Sequence, residues 1–200
     1  MCPTLPPMDT RTRIVLLMHT KEYKYVKNAT GRITCLNLAN SEIIPGVGFE
    51  DNARYRALIE DPANYPVFLY PGQNAMDVKD ESLTSALGGR RLVVFIADAT
   101  WRCSHATVRL TPSLQAMPRL KIQPLAPSRY RIKKQPAPHC LSTLEAVHEL
   151  LLALEASGLD SYPDKERLLL AFEKMQEFQI KMISTGAKRQ HVVRGIREPL

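Results

Sequence analysis

The stretch that decides the fold of this chain is residues 91–101, RLVVFIADATW. Residues 92–97 form a continuous apolar run that is rich in Val, Ile and Phe and too short for a typical helix. Such a run predicts a strand that is buried on both faces, as in a parallel sheet. Because open α/β sheets bind ligands at the carboxyl ends of their strands, Asp98, Thr100 and Trp101 are predicted to lie at the ligand-binding edge.

Two further apolar runs, residues 13–18 (RIVLLM) and 67–70 (VFLY), predict strands of the same kind. His19 follows the first run, and the turn-forming Pro71-Gly72 follows the second. Helical stretches are predicted between and after the strands, at residues 52–59, 79–87, 102–110, 141–158 and 164–183. This alternation predicts an α/β fold with a mostly parallel sheet. The loops that follow the strands are expected to converge on a small-molecule pocket.

The composition predicts a single globular domain over residues 1–200, with 186–200 as a basic tail. Hydrophobic residues make up 44% of the chain and charged residues 24%, which is ordinary for a soluble protein. No apolar run reaches the roughly 18 residues that a membrane-spanning helix needs. The N-terminal residues lack the apolar core of a signal peptide, so a cytoplasmic location is expected.

Positive charge is concentrated between Asp98 and Glu145, an interval without any acidic residue. Its cations are Arg102, Arg109, Arg119, Lys121, Arg129, Arg131, Lys133 and Lys134. These eight charges exceed the formal net charge of +7 of the whole chain, so the basicity is local. A local basic region favours a polyanionic partner, and nucleic acid before a membrane, because no basic amphipathic anchor accompanies it.

The triplet Arg129-Tyr130-Arg131 places an aromatic ring between two guanidinium groups. This pattern suits contact with phosphates combined with stacking on a base. A solvated charged face is the alternative interpretation, and the lack of balancing carboxylates argues against it. Trp101 has two interpretations as well, core packing or base stacking.

Ser142-Thr143-Leu144-Glu145 fits a capping box at the start of the helix predicted over 141–158. A helix N-terminus also attracts an anionic group such as a ligand carboxylate. Asp98 likewise has a structural interpretation, as a cap of the segment that follows it. Its functional interpretations are a general base or a ligand of an ammonium group, and the sequence leaves both open.

The blocks of the chain together resemble the DTW-domain family, whose D-x-T-W signature corresponds to residues 98–101. The similar blocks are RIVLLMHTKEYK, TGRITCLNLANSEI, FLYPGQNA, SRYRIKKQP and CLSTLEAV. The resemblance implies transfer of the 3-amino-3-carboxypropyl group of S-adenosylmethionine to N3 of a uridine in tRNA. It also implies similarity to the SPOUT class of RNA-modifying enzymes, in which a knotted carboxyl-terminal part holds the cofactor.

The resemblance assigns expected roles to residues of this chain. Asp98 is the expected catalytic residue. The residues expected to bind the cofactor are Pro71, Gly72, Thr100, Trp101, Leu141, Ser142, Thr143 and Glu145. The residues expected to bind tRNA are Arg102, Arg129, Tyr130, Arg131, Lys133, Lys134, Lys188 and Arg189.

The N-terminus departs from the family pattern. Family members commonly begin with a cysteine cluster suited to zinc, whereas Cys2 alone stands in residues 1–12 of this chain. Residues 1–12 are therefore expected to be a remnant of that cysteine region. The four cysteines are scattered without a C-x-x-C pair, so no disulfide and no metal site are predicted. An RNA methyltransferase of the same cofactor class and a non-catalytic tRNA- or rRNA-binding factor are the alternative functions. The oligomeric state stays open.

Overall fold

A computed structural model describes residues 6–72, 74–124, 126–132 and 140–185, without the side chains of Trp101 and Arg102. Within these ranges, six strands form one parallel sheet. In chain order they are β1 (Arg13–His19), β2 (Ser41–Gly46), β3 (Asn64–Leu69), β4 (Met76–Asp77), β5 (Arg91–Asp98) and β6 (Arg119–Lys121). Their spatial order is β2-β1-β5-β3-β6-β4, and every pairing is parallel. The α/β prediction is therefore confirmed, and the apolar run of residues 92–97 lies in a central strand.

Helices connect the strands and cover both faces of the sheet. They are α1 (Thr20–Tyr25), α2 (Thr30–Asn37), α3 (Ala53–Glu60), α4 (Glu81–Leu87), α5 (Trp101–Arg109), α6 (Pro112–Ala116), α7 (Thr143–Ala156) and α8 (Arg167–Ser184). The predicted helices correspond to α3, α4, α5, α7 and α8, with ends that differ by a few residues. The sequence did not predict α1, which buries none of its residues and therefore carries no apolar periodicity.

Alternate residues of the central strands pack into two separate cores. On one face, Leu16, Val94 and Ile96 pack with apolar residues of α7 and α8. On the other face, Val15 and Phe95 pack with apolar residues of α3 and α6. Because successive strand side chains point to opposite faces, a strand between two helical layers is apolar at every position. The same alternation places Asp98 on the face that α7 covers.

Residues 6–12 form an ordered part of the structure ahead of β1. Met8 is buried and pairs with Leu38 through backbone hydrogen bonds to the end of α2. The backbone N–H groups of Arg11 and Thr12 donate to the carboxylate of Asp160 at 2.7 and 2.9 Å. Residues 6–12 are thus held to the end of α2 through Met8 and to the loop between α7 and α8 through Arg11 and Thr12. No helix in the described ranges is long and apolar enough to cross a membrane.

Candidate active site

Asp98 lies at the carboxyl edge of the sheet, where the sequence predicted it. It is the last residue of β5, beside Met18 of β1, and its side chain is buried. The hydroxyl of Thr143, at the start of α7, donates to Asp98 Oδ1 at 2.6 Å. Two residues predicted for the same site are therefore in direct contact, although 45 positions separate them in the chain. A hydrogen bond of this kind stabilises the ionised carboxylate and fixes its orientation.

Gly31 completes the surroundings of the Asp98 carboxylate, and the sequence analysis did not assign it to the site. A Cβ atom at Gly31 would lie 2.1 Å from Asp98 Oδ2 and 3.0 Å from Leu16 Cδ1. The backbone of α2 can approach the carboxylate this closely because residue 31 has no side chain. The sequence contained one signal for this contact, a glycine in the first turn of a helix, where most other residues would favour helix formation more.

Glu145 joins the start of α7 to residues 128–131, which we call the basic segment. The predicted capping box is confirmed, since Glu145 N–H donates to Ser142 Oγ and Ser142 N–H donates to Glu145 Oε2. The buried Glu145 carboxylate also accepts from the Ser128 hydroxyl at 2.8 Å and from the Arg129 N–H at 2.6 Å. Both carboxylate oxygens therefore hold protein groups in place, and a contact of Glu145 with a cofactor stays a prediction.

A second buried side chain, Gln176 of α8, fixes the same segment. Its Oε1 accepts from the Arg131 N–H at 2.6 Å, and its Nε2 donates to the Arg129 carbonyl at 3.2 Å. Between these two arginines, the Tyr130 ring packs edge-on against Phe172, with ring centroids 5.1 Å apart. Burial raises the pKa of Tyr130, and the carboxylates of Glu22, Glu145 and Asp98 raise it further. The arginine side chains are exposed, whereas the tyrosine packs on the core, so base stacking by Tyr130 stays a prediction.

We expect Gln176→Ala to lower the free energy of unfolding by about 1–3 kcal/mol, because two part-buried hydrogen bonds are lost, one from the Arg131 N–H and one to the Arg129 carbonyl. It should also weaken the predicted binding of tRNA, since the backbone that carries Arg129 and Arg131 is no longer fixed. Urea denaturation and tRNA titration measure the two effects. Gln179→Ala on the same helix is the control, because the Gln179 amide donates to the Met175 sulfur, a weak acceptor. Equal effects of the two substitutions would contradict this prediction.

The other predicted cofactor residues lie near the same edge of the sheet. Thr100 caps α5, with its Oγ1 accepting from Cys103 N–H at 3.4 Å. Pro71 and Gly72 follow β3 and are exposed, and the β3–β5 register carries Pro71 to the level of Asp98. Leu141 is half-buried just before α7. The side chains of Trp101 and Arg102, and all of Lys133, Lys134, Lys188 and Arg189, lie outside what the structure describes.

Among the residues that the structure describes, the local positive charge is divided between the two faces of the sheet. Arg109 lies at the end of α5, and Arg119 of β6 packs over the Tyr70 ring at 5.5 Å from its centroid. These residues belong to the face of the sheet opposite α7, whereas Arg129 and Arg131 follow the α7 and α8 face. The fold therefore divides the basic interval, which the sequence alone presents as continuous.

Few of the described residues near Asp98 could act as a nucleophile or bind a metal ion. Burial raises the pKa of the nearby Cys35 thiol to about 11, so this thiol is protonated at neutral pH and is a poor nucleophile. Within the described ranges, no three His, Cys, Asp or Glu side chains are grouped so that they could hold a metal ion. Cys2 lies outside those ranges, and the absence of zinc stays a prediction.

Two clefts flank the described structure. One of about 330 Å³ runs between the basic segment and α8, where Arg129 and Arg131 face Phe172 and Gln176 together with Glu166 and Glu173. The other, of about 480 Å³, lies at the amino end of the sheet beside Arg91, far from Asp98. The first cleft is lined by the arginines that the sequence assigned to RNA. Its negative charge comes from the carboxylates of Glu166 and Glu173 on the α8 side.

Comparison with known proteins gives a consistent set of relatives. A sequence model of the DTW domain matches residues 1–180. A protein of Drosophila melanogaster named tRNA-uridine aminocarboxypropyltransferase 2 is 28% identical over 161 residues, which is 78% of this chain and 62% of that protein. Proteins of the same name from Macaca fascicularis and Mus musculus are 23% and 22% identical over 184 residues, 90% of this chain and 60% of each of those proteins.

The chain thus spans about three fifths of the length of these relatives. No solved structure matches the chain. The similarity to the relatives nevertheless covers most of this chain, including the strands and helices that surround Asp98.

Proposed function

Since the chain belongs to the DTW domain family, we propose that it transfers the 3-amino-3-carboxypropyl group of S-adenosylmethionine to N3 of a uridine in tRNA. The names of the relatives support a tRNA uridine as acceptor and an aminocarboxypropyl group as cargo. The structural observation that carries the proposal is the buried Asp98 carboxylate, held by Thr143 at the carboxyl edge of a parallel sheet. Parallel sheets bind their ligands at this edge.

The residues around Asp98 fit the charged end of the donor. The amino acid group of the donor carries a carboxylate, which needs a site rich in N–H groups. The first turn of α7 supplies backbone N–H groups that lack partners within the helix. Gly31 leaves the backbone of α2 open to close approach, and Pro71 and Gly72 border the site from β3. We assign Thr100, Trp101, Leu141, Ser142, Thr143 and Glu145 to the surroundings of the donor.

When bound, S-adenosylmethionine supplies a carbon activated by the adjacent sulfonium, so that the bond from this carbon to N3 forms as the carbon–sulfur bond breaks and methylthioadenosine leaves with the electron pair. The chain has to orient N3 in line with that bond. It also has to accept the N3 proton, which we assign to Asp98 as general base. Burial of Asp98 limits competition from water, and the Thr143 hydroxyl fixes the orientation of the carboxylate.

We assign tRNA binding to the basic residues that the sequence predicted for it. Arg129 and Arg131 are exposed and are presented by a backbone that Glu145 and Gln176 fix. Arg102, Tyr130, Lys133, Lys134, Lys188 and Arg189 complete the proposed contact. Phosphate contacts release counterions, so tRNA affinity should fall steeply with salt concentration.

The proposal includes a single domain over the whole chain, a knotted cofactor site of the SPOUT kind and a cytoplasmic location. The contact between α7 and the end of β5 supports a cofactor site in the carboxyl-terminal part, because α7 then borders the ligand-binding edge of the sheet. The knot itself is what the family resemblance implies. We propose no metal for the reaction, since a sulfonium needs no Lewis acid to activate the carbon next to it.

Mass spectrometry of nucleosides tests the proposal. Unmodified tRNA incubated with the protein and S-adenosylmethionine should yield a uridine whose added mass equals one aminocarboxypropyl group. Oligonucleotide mapping then locates the modified position. A methylated nucleoside would replace the proposal with methyl transfer, and the absence of any new nucleoside despite tRNA binding would favour a binding factor.

A further inference from the structure

Helix α1 presents basic and aromatic side chains to solvent directly beside the candidate active site. None of its residues is buried, and Tyr23 and Tyr25 are 40% and 54% exposed. Lys21 and Lys24 lie on the same helix, and Lys27 follows it. We call Lys21, Tyr23, Lys24, Tyr25 and Lys27 the α1 patch. We propose that the α1 patch is a second RNA-binding surface, in which Tyr25 stacks on a base next to the modified uridine and the lysines bind its flanking phosphates.

The position of the α1 patch follows from the two elements that enclose it. β1 ends at His19, beside the end of β5 in the sheet, and α1 begins at the next residue. The chain then returns at Gly31, whose backbone lies against the Asp98 carboxylate. The patch therefore lies between two segments that border Asp98. A nucleotide next to the reacting uridine would reach it without leaving the edge of the sheet.

The charges of the patch are available to a polyanion. Glu22 is the single acidic residue in residues 20–32, which include four basic residues, Lys21, Lys24, Lys27 and Arg32. None of the ion pairs within the described ranges includes Lys21, Lys24 or Lys27. A membrane and an acidic protein are the alternative partners for exposed lysines. The exposed rings of the patch are tyrosines rather than aliphatic groups, which suits a base better than a lipid chain.

Arg32 gives the patch a defined shape. Its guanidinium carbon lies 4.6 Å from the centroid of the Tyr23 ring, and its Nη2 donates to the Tyr23 carbonyl. This contact ties α1 to the first turn of α2, the turn that touches Asp98. A helix that is held in place before binding loses less conformational entropy when RNA binds. Tyr25 is the more exposed of the two rings, and we assign the stacking contact to it.

The α1 patch and the basic segment both lie near Asp98. The carboxylates of Glu22 and Asp98 both raise the pKa of Tyr130, in addition to burial, so α1, Asp98 and the basic segment are close in space. RNA that contacts Arg129 and Arg131 on one side and Lys24 on the other would pass over the Asp98 carboxylate. This inference rests on the proposed function, because it takes RNA to be the substrate.

The test uses the full chain, an unmodified tRNA transcript and two separate measurements, binding by fluorescence anisotropy and transfer by nucleoside mass spectrometry. We expect Tyr25→Ala to raise the dissociation constant for tRNA roughly tenfold, because base stacking on an aromatic ring is lost. Tyr25→Phe keeps the ring and should bind like the parent protein. Lys24→Glu should weaken binding and lower the slope of log affinity against log salt by about one.

Lys79→Glu is the matched charge control, since Lys79 is exposed after β4, at the edge of the sheet opposite β2 and β1. Equal tRNA affinities for Lys24→Glu and Lys79→Glu, or unchanged affinity in Tyr25→Ala, would overturn the inference. The inference would also be overturned if Lys24→Glu reduced binding to phosphatidylserine vesicles and left tRNA affinity unchanged, because the patch would then bind a membrane. Absence of transfer by the parent protein would overturn the proposed function alone, because the binding comparison is read independently of turnover.

Discussion

Asp98→Asn is expected to lower the rate of aminocarboxypropyl transfer by about 10²–10⁴-fold, the usual contribution of a positioned general base. Asparagine has nearly the same shape as aspartate, and its carbonyl oxygen can still accept the hydrogen bond from Thr143. The fold should therefore persist while the proton acceptor is lost. Single-turnover rates at saturating donor and tRNA measure the effect on the chemical step.

The same variant separates the two roles that the sequence left open for Asp98. A base is required for turnover but not for donor binding, so the dissociation constant of S-adenosylmethionine should stay unchanged. If that constant rises instead while the saturated rate is retained, Asp98 binds the amino group of the donor and another group accepts the proton. A large loss of tRNA affinity would show that the carboxylate has been assigned to the wrong contact. Asp51→Asn, at an exposed position, is the control for the substitution itself.

Gly31→Ala is expected to reduce transfer by about a hundredfold, the loss that follows a displacement of roughly 1 Å at a catalytic group. The added methyl group would lie 2.1 Å from Asp98 Oδ2, and the Thr143 hydroxyl bond at 2.6 Å leaves that carboxylate little room to turn away. Overpacking of this kind also lowers the free energy of unfolding by about 1–3 kcal/mol. Thermal unfolding and the transfer rate should thus change together.

A double-mutant cycle tests whether the contact with Asp98 causes the loss of stability. In an Asp98→Ala background the carboxylate is absent, so Gly31→Ala should cost much less than it does in the parent protein. An equal cost in both backgrounds would assign the effect to Leu16, whose Cδ1 would lie 3.0 Å from the new methyl group. The contact with Asp98 would then not be the cause of the lost stability.

The secondary structure was predicted best where a local pattern determines it. The apolar runs at 13–18 and 92–97 became β1 and β5, because strands buried on both faces need apolar side chains at every position. The capping box at 142–145 formed as expected, since its hydrogen bonds join residues three positions apart. Short elements with exposed or mixed side chains, such as α1 and β4, were not predicted, because they leave no periodic signal.

The functional site was predicted only in part. The sequence indicated that Asp98 ends a buried strand and that Thr143 begins a helix, and the family resemblance assigned both to one site. The approach of Gly31 to Asp98 could not be predicted, because it depends on how α2 packs on the sheet. The core contact of Tyr130 with Phe172 was missed for a similar reason, since the Arg-Tyr-Arg pattern alone favoured an exposed ring.

By itself the sequence determined the α/β class, the central strand that carries Asp98, the helix cap at Ser142 and the excess of basic residues between Asp98 and Glu145. Only the tertiary structure decided which of these features meet. Glu145 and Gln176 bind the backbone of Arg129 and Arg131 from positions 16 to 47 residues away in the chain, and Thr143 contacts Asp98 across 45 positions. Such contacts depend on the packing of whole helices against the sheet, and no local preference of the residues concerned encodes them.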